Sequence, residues 1–526
     1  MKKPLYRNKT FIRIVRIILL LAILASARMI FAQNVTILPS GITPNQGGAV
    51  PRLSYDAIMA LSAPKDGDMA YDISFHCMRL YQKDKWVKML CDANHTSPSI
   101  LAWQMGGIGF DMGSALTTDA NGNVYVAGYF QHSAQFDDTV LPGNGIAVKT
   151  LFIAKYTNTG HLLWAKQAAS GSGEVEVRDI ALDASGNIFI TGAFSTNITF
   201  GANTFTSSGI KDIFLAKYAT DGALQWVQQA GGIYDDMSNG LAIDGTGNIY
   251  IAGGIEGTVT FGGAIFPWTG KMHAFVAKFK PDGTVEWLRR GVGTTGNDVA
   301  NGVVADTNGG VTIVGNLTGT VSFEGTTMSS AGGTDVLLLR YDNAGNLAWV
   351  KKMGGAGADN GADIGVDTNN NLYILGNFEL TANFDGTSLT SAGNTDIFIL
   401  KMTDTGVLTW AKREGGTSTE DGLSIAIDTK QNFYITGNFE NASTFRNTII
   451  DSNGNLDIFI AKYSPNGELS WVQAMGGEYF EIPIKLAADT QGNVYATGYF
   501  YEKTSFGAYT LTGAGQVDAF VVRLRD

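Results

Sequence analysis

A tryptophan returns every 61 or 62 residues through most of this chain, at Trp103, Trp164, Trp226, Trp287, Trp349, Trp410 and Trp471. Each follows a turn and one or two apolar residues, and the surrounding sequence recurs with it, so that copies fill almost everything after residue 100. A fixed period of this length means one repeated supersecondary unit, which cannot bury its apolar face without neighbours of its own kind. The copy at 236–287 reads most plainly. Its segments GLAID, NIYIAGG, VTF, AFVAKF and TVEW alternate β-branched or aromatic residues with others and are separated by short Gly, Asp, Asn and Pro clusters. That period of two predicts antiparallel strands joined by hairpins, with no helix in any copy.

Two turns punctuate each copy. Asp244 and Gly247 stand at the first and fourth positions of one, where an Asp side chain accepts its own backbone N–H groups, and the Asp recurs at 119, 183, 306, 367, 428 and 489. The second is Lys280-Pro-Asp-Gly283, matched by Gly222, Gly345, Gly406 and Gly467. Two tight hairpins with a short segment between them follow for each copy. Four short strands repeated seven times in antiparallel order suit radial packing of small sheets around a channel, a seven-bladed β-propeller.

The pattern A-x-D-x-x-G-N-x-Y-x-x-G-x-F, then F-G, then D-x-F-x-A-K-Y, then G-x-x-x-W, which runs through 426–471, resembles the bacterial β-propeller repeats labelled SBBP. The resemblance covers about four fifths of the chain. It implies a propeller in an extracellular binding or surface protein.

The ends of the repeat array predict how it closes. Ser99–Gly107, SILAWQMGG, matches the last strand of a copy, whereas the chain stops at Asp518–Asp526, DAFVVRLRD, the third strand of a copy. A final blade is complete only if residues near 100–106 join residues near 482–525, and this pairing removes the exposed edges of an open array.

Ahead of the array, residues 1–33 read as a signal peptide. Lys2, Lys3, Arg7, Lys9, Arg13 and Arg16 precede the apolar run 17–27, and Phe31-Ala-Gln33 offers a cleavage region. An apolar run of eleven residues, interrupted by Ser26, is too short to span a bilayer, so the mature chain is expected to carry no transmembrane anchor and to be secreted or held at the cell surface. Cleavage removes seven of the 37 Lys and Arg and none of the 48 Asp and Glu, leaving 30 against 48, or −18. A chain so acidic repels nucleic acid phosphates and anionic membrane surfaces.

Residues 34–50 read as a linker, 51–92 as a small α+β module, 93–99 as a second linker and 100–526 as the propeller. In the module, 50–61 reads as a short helix ended by Pro64, followed by a meander of strands. Asp56-Ala57-Ile58, Pro64, Gly67, Tyr71, Tyr81 and Trp86 are similar to a short module found near the N-terminus of many bacterial surface proteins, which implies a role in display or attachment. Cys77 and Cys91 are the only cysteines, each seven residues from Asp84 at the centre of a predicted hairpin. They would face each other across the pair as a disulfide, suited to an exported module too small to build much core.

The recurring aromatics, the seven Trp with Phe136, Phe200, Phe261, Phe323, Phe384, Phe445 and Phe506, are expected to fill the gaps between blades rather than to form exposed platforms. Lys155, Lys217, Lys278, Arg340, Lys401, Lys462 and Arg523 recur within the third strand, with Asp212, Asp335, Asp396, Asp457 and Asp518 five residues before five of them. These read as a solvated face or as blade-to-blade ion pairs.

The most function-like pattern is a ring of acids. Asp111, Asp236, Asp298, Asp359, Glu420 and Glu481 stand eight residues before the turn Asp, with Val175 as the exception. All fall in the loop from a Trp strand to the next innermost strand and are expected at one mouth of the channel. There they would either cap loop N–H groups or bind calcium or a cationic partner, and calcium is the one cofactor that the pattern admits. No nucleophile elbow, His-Glu-x-x-His or phosphate loop occurs. The places where copies depart from the repeat include Trp268, Met272 and His273, and Glu478 with Tyr479. The expected function is an exported non-catalytic scaffold for binding or adhesion to an extracellular protein or glycan. The alternative is a calcium-dependent hydrolase or lyase acting on an extracellular polymer at one mouth.

Overall fold

The computed structural model describes residues 52–53, 58, 61, 64–72, 77–82, 85–91, 98–145, 148–267 and 270–526. The chain divides into two compact units, Met1–Ala93 and Asn94–Asp526. The described elements are all strands.

In the first unit, Arg52–Leu53, Met69–Asp72, Cys77–Gln82 and Lys85–Cys91 form a four-stranded sheet in that order. Cys77 lies opposite Cys91 in the register of the last two strands. The expected signal peptide and first linker lie outside the described residues, as does most of the segment 50–61 expected to be helical.

In the second unit the repeat unfolds as the period of two dictates. Within the copy 236–287, Met237–Ile243, Ile249–Glu256, Met272–Phe279 and Val285–Arg290 pair antiparallel in chain order. The second strand of a copy is buried along its whole length, as in Val124–Phe130 and Phe433–Phe439. Both of its faces are therefore covered by protein, and cores run from sheet to sheet. One cluster joins Tyr125 and Ile153 to Ile190 and Phe214, which belong to successive copies. The expectation of seven blades preceded by an α+β module is corrected here. Sheets of four or more strands number eight, one of them formed by the first unit itself, and no helix is among the described elements. Among the described residues of the N-terminal region the elements are the strands of that four-stranded sheet.

The two ends of the second unit meet in one sheet. Ser99–Gly107 pairs antiparallel with the end of Tyr509–Arg525, from Arg525 opposite Ser99 to Ala519 opposite Met105. Glu481–Ala488 and Asn493–Phe506 complete that sheet. Its register holds a surprise. Trp164, Trp226, Trp287, Trp349, Trp410 and Trp471 each lie opposite the recurring Lys or Arg of the third strand, but Arg523 faces Leu101, and Trp103 faces Val521. The displacement is two residues, which preserves the face of the strand. Trp103 thus still reaches the second turn of the following copy, where a Cβ on Gly160 would collide with its ring. Trp164, Trp226, Trp287 and Trp349 cover Gly222, Gly283, Gly345 and Gly406 in the same way. Those glycines also hold φ between +79° and +85°, so the turn needs Gly for its backbone as well as for the neighbouring ring.

The short segment between the hairpins is itself a two-stranded hairpin, and it is attached to the preceding sheet rather than to its own. Phe261 and Thr260 pair with Ala230 and Gly231, and Phe136 pairs with Met105. All seven recurring Phe are fully buried by this arrangement. The turn Asp residues behave as their positions require: Asp244 accepts the N–H groups of Thr246 and Asn248 at 2.9 and 3.0 Å and the Tyr250 hydroxyl at 3.1 Å. The recurring cations join copies, with Lys217 beside Asp183 at 3.7 Å while its ammonium donates to the Pro281 carbonyl of the next copy.

Two measurements test this packing. Phe445→Ala removes a ring 4.6 Å from that of Phe459 in a fully buried site and should cost about 3–5 kcal/mol in chemical denaturation. A chain that starts after Gly107 leaves the edge of Tyr509–Arg525 unpaired, and it should melt lower and aggregate in light scattering, whereas an unchanged melting temperature would show that end pairing is dispensable.

Candidate functional site

The loops that join one copy to the next carry both the acids and the exposed apolar residues. Each loop runs back against the start of the preceding third strand, as in the parallel bridges of Phe110 with Val517, Lys211 with Asp235 and Leu456 with Phe480. The acid that follows is drawn inward. Asp111, Asp236, Asp298, Asp359, Glu420 and Glu481 are all buried, at most 1% exposed. Five of them take a backbone N–H through a Gly-Gly pair: Gly107 donates to Asp111 at 2.6 Å, Gly232 to Asp236 at 2.7 Å, Gly355 to Asp359 at 2.6 Å, Gly416 to Glu420 at 2.8 Å and Gly477 to Glu481 at 3.1 Å. The first glycine of each pair lies against the Asp that opens the third strand, and a Cβ on Gly106, Gly231, Gly354, Gly415 or Gly476 would collide with Asp518, Asp212, Asp335, Asp396 or Asp457.

The ring is therefore a set of separate carboxyl pairs, each sealed between two sheets. Burial, reinforced by the second carboxylate, pushes Asp111, Asp236, Glu420 and Glu481 up to about 7 and Asp359 up to about 6. Where the third-strand Asp is replaced by His273, the imidazole faces Asp298 at 3.1 Å and its other nitrogen faces the Gly293 carbonyl at 3.1 Å. Both ring nitrogens thus face oxygen atoms. Where the acid is replaced by Val175, the partner is Thr150, and both are buried.

None of the six acids lines the channel cavity. That cavity, about 740 Å³, is bounded by the innermost strands and by residues such as Met112, Tyr129, Met237, Met272 and Thr318. A ring of structurally equivalent positions gives it two characters: Ser114, Arg178, Asn239 and Asn301 form a polar arc, and Ala362, Leu423 and Ile484 an apolar one. Beneath them the register shifts in three inner strands turn Asp179, Asp363 and Lys485 inward. The Lys485 ammonium lies 3.6 Å from each of the two carboxylates and closes a floor. Burial opposes its charge, but the two carboxylates outweigh burial and raise its pKa. Around the rim the joining loops expose Ile108, Phe110, Ile233, Tyr234, Tyr479 and Phe480. Phe480 lies edge-on to Tyr501, with ring centres 6.1 Å apart.

With this geometry in hand, the comparisons with known proteins are consistent. Residues 225–255 and 348–377 match the family model described as beta-propeller repeat. An uncharacterized WD repeat-containing protein of Acanthamoeba polyphaga mimivirus is 23% identical over 515 residues, covering 81% of this chain and 34% of that protein. The chain folds as a β-propeller, and two of its copies match this repeat. The regulatory protein FlaEY of Caulobacter vibrioides is 24% identical over 208 residues, 38% of this propeller chain and 21% of that protein. The propeller chain thus spans about a third or less of the length of these curated relatives. Among solved structures, an apocarotenoid oxygenase from Synechocystis aligns with a TM-score of 0.37 at 9% identity, over 81% of this chain and 95% of that one.

The residues that broke the repeat separate in space. Met272 lines the cavity, whereas His273, next in sequence, is fully buried on the other face of its strand. Tyr479 is on the rim, where Glu502 raises its hydroxyl pKa, and Glu478 is exposed beside it. Trp268 lies outside the described residues. The floor of the propeller, Asp179, Asp363 and Lys485, was not singled out from sequence. Its signal is faint: one position, four residues after the ring, that reads Ala, Asp, Gly, Gly, Asp, Ser and Lys around the copies.

Two outcomes follow for the propeller. The pairs have folded pKa values above their unfolded ones, so their contribution is whole below about pH 4 and is lost as pH rises through 6 to 7. In EDTA the melting temperature should therefore fall between pH 5 and about 8, as differential scanning calorimetry would show. Lys485→Met leaves two carboxylates facing each other and should destabilise the chain by about 2 kcal/mol, the effect of breaking a buried pair discounted for channel water.

Proposed function

We propose that this protein is an exported, non-catalytic scaffold that binds an extracellular protein or glycan at the mouth where the joining loops surround the channel cavity. The observation that carries this reading is the coincidence of an exposed rim, Ile108, Phe110, Ile233, Tyr234, Tyr479 and Phe480, with a cavity whose wall is polar on one arc and apolar on the other. Large apolar side chains left in water around a concave site supply the anchors of a binding surface, and aromatics supply faces for sugar rings or for partner side chains.

The charged groups of the cavity support binding rather than turnover. Glu176 pairs with Arg178, and Asp179 and Asp363 share Lys485. Asn239 and Asn301 donate their side-chain amides to the Ala300 and Gly361 carbonyls at 3.0 and 2.7 Å, which holds both side chains in place on the cavity wall. Export rests on the basic and apolar pattern of residues 1–33, and the oxidising destination suits Cys77 and Cys91 as a disulfide, which their register opposite each other supports.

A glycan array and a pull-down of extracellular proteins, each performed with the full chain, test the reading. Tyr479→Ser with Phe480→Ser should weaken binding at least tenfold while moving the melting temperature by no more than about 1 °C, because both residues are exposed. Binding that survives both this change and Arg178→Ala, or turnover of a polymer, would overturn it.

A further inference from the structure

The carboxyl pairs are not equally compensated. Asp111 accepts the N–H groups of Gly107 and Gln131, and Asp236 those of Gly232 and Glu256, so both oxygens of each are occupied. Asp335 and Asp359 have Lys352, 3.1 Å from Asp335. Asp396 and Glu420 have Arg413, 2.6 Å from Asp396. Asp298 has His273. The third-strand Asp is reached in these copies from one recurring position of the Trp strand, which holds Gln229, Lys352 and Arg413. In the next copy that position is Ala474, opposite Phe459 as Arg413 is opposite Phe398.

The pair beside Ala474, Asp457 and Glu481, is therefore left without a counter-charge: among the described residues no Lys, Arg or His nitrogen lies within 4.0 Å of either. Each carboxylate accepts one backbone N–H, from Asn453 at 2.7 Å and from Gly477 at 3.1 Å. Asp457 Oδ1, Glu481 Oε1 and Thr504 Oγ1 are all buried with no hydrogen-bond partner. The Thr504 hydroxyl lies beside the Glu481 carboxyl, close enough to lower its pKa but outside hydrogen-bonding geometry. The hydroxyl is no accident of composition. At the position 23 residues after each ring acid stand Ala134, Val259, Val321 and Ala382 behind Asp, Ile198 behind Val175, and Ser443 and Thr504 behind Glu420 and Glu481. The longer acid is used where a hydroxyl waits.

We propose that Asp457, Glu481 and Thr504 form a site for a hard divalent cation of the calcium class, taking the place that Lys352 or Arg413 fills in neighbouring copies. Two carboxylates and a hydroxyl are oxygen donors of the kind that such an ion selects. Among the described residues no three His, Cys, Asp or Glu side chains gather on one point, so main-chain carbonyls and water complete the shell. The ion would join the third strand of one sheet to the entry loop and outer hairpin of the next. This site is independent of the ligand reading, since none of its residues lines the cavity.

Calorimetry of the full chain at pH 8, in EDTA and in millimolar calcium, magnesium or sodium, tests it. Calcium should raise the melting temperature by roughly 2–4 °C and titrate with a dissociation constant of ~0.1–1 mM. Ala474→Arg, which supplies the missing cation, should raise the EDTA melting temperature and abolish the calcium response, and Glu481→Gln should abolish the response alone. Should Ala474→Arg fail to fold, Thr504→Val should weaken calcium about tenfold with an unchanged EDTA baseline. No calcium response in the native chain, or one retained in both Glu481→Gln and Thr504→Val, would overturn the assignment; a melting temperature that follows pH alone would mean that the pair holds a proton instead.

Discussion

A four-stranded sheet of this repeat has two apolar faces and no means of covering either, and that constraint governs the rest of the molecule. Strands such as Val124–Phe130 and Phe433–Phe439 are buried from end to end because a neighbouring sheet lies on each side. The outer hairpin strengthens the dependence by pairing backbone to backbone with the preceding sheet, so that a copy is completed partly by the chain that follows it. Pairing of Ser99–Gly107 with Tyr509–Arg525 extends the same rule to the ends, where an unpaired strand edge would recruit other chains.

Polar groups caught in these seams must be compensated locally, because burial strips them of most of their hydration. The turn Asp residues are compensated by their own turns, and Asp111 and Asp236 by two N–H groups each. Elsewhere a side chain is recruited: His273, Lys352 or Arg413. The channel floor repeats the solution on a larger scale, with Lys485 set between acids of two other inner strands. Charge is paired off where sheets meet, and in the cavity Glu176, Arg178, Asp363 and Lys485 are likewise paired, which leaves the rest of its wall to Met, Tyr, Asn and Thr side chains among apolar ones.

Much of this was legible in the repeat. The turn Asp and Gly residues, the strands between them and the burial of the recurring Phe all follow from local chemistry that recurs in every copy. The position of Trp103 does not follow from the Trp period, though the sequence carries it: Trp103 stands two positions before Met105-Gly-Gly, where Trp349 and Trp471 stand four before theirs, and a two-residue slip keeps the same face. The outer hairpin read as a mere short segment because its partner belongs to the previous copy. The acids were found, but a mouth location was inferred from their loop, whereas the Gly-Gly pair ahead of five of the six draws those five inward. That motif was visible as sequence; its meaning required knowing that an Asp of another strand stands against it.

What the sequence alone determined is whatever can be satisfied within one copy: the period, the strands, the turns and the residues that must be buried somewhere. Tertiary structure decided whatever joins positions of different copies, namely the number and membership of the sheets, the carboxyl pairs, the Asp179–Lys485–Asp363 floor and the two-sided cavity. The physical reason is that a repeat fixes identical local conformations, but charge and hydrogen bonds are balanced between neighbours, and only the assembled neighbours show which group is left over.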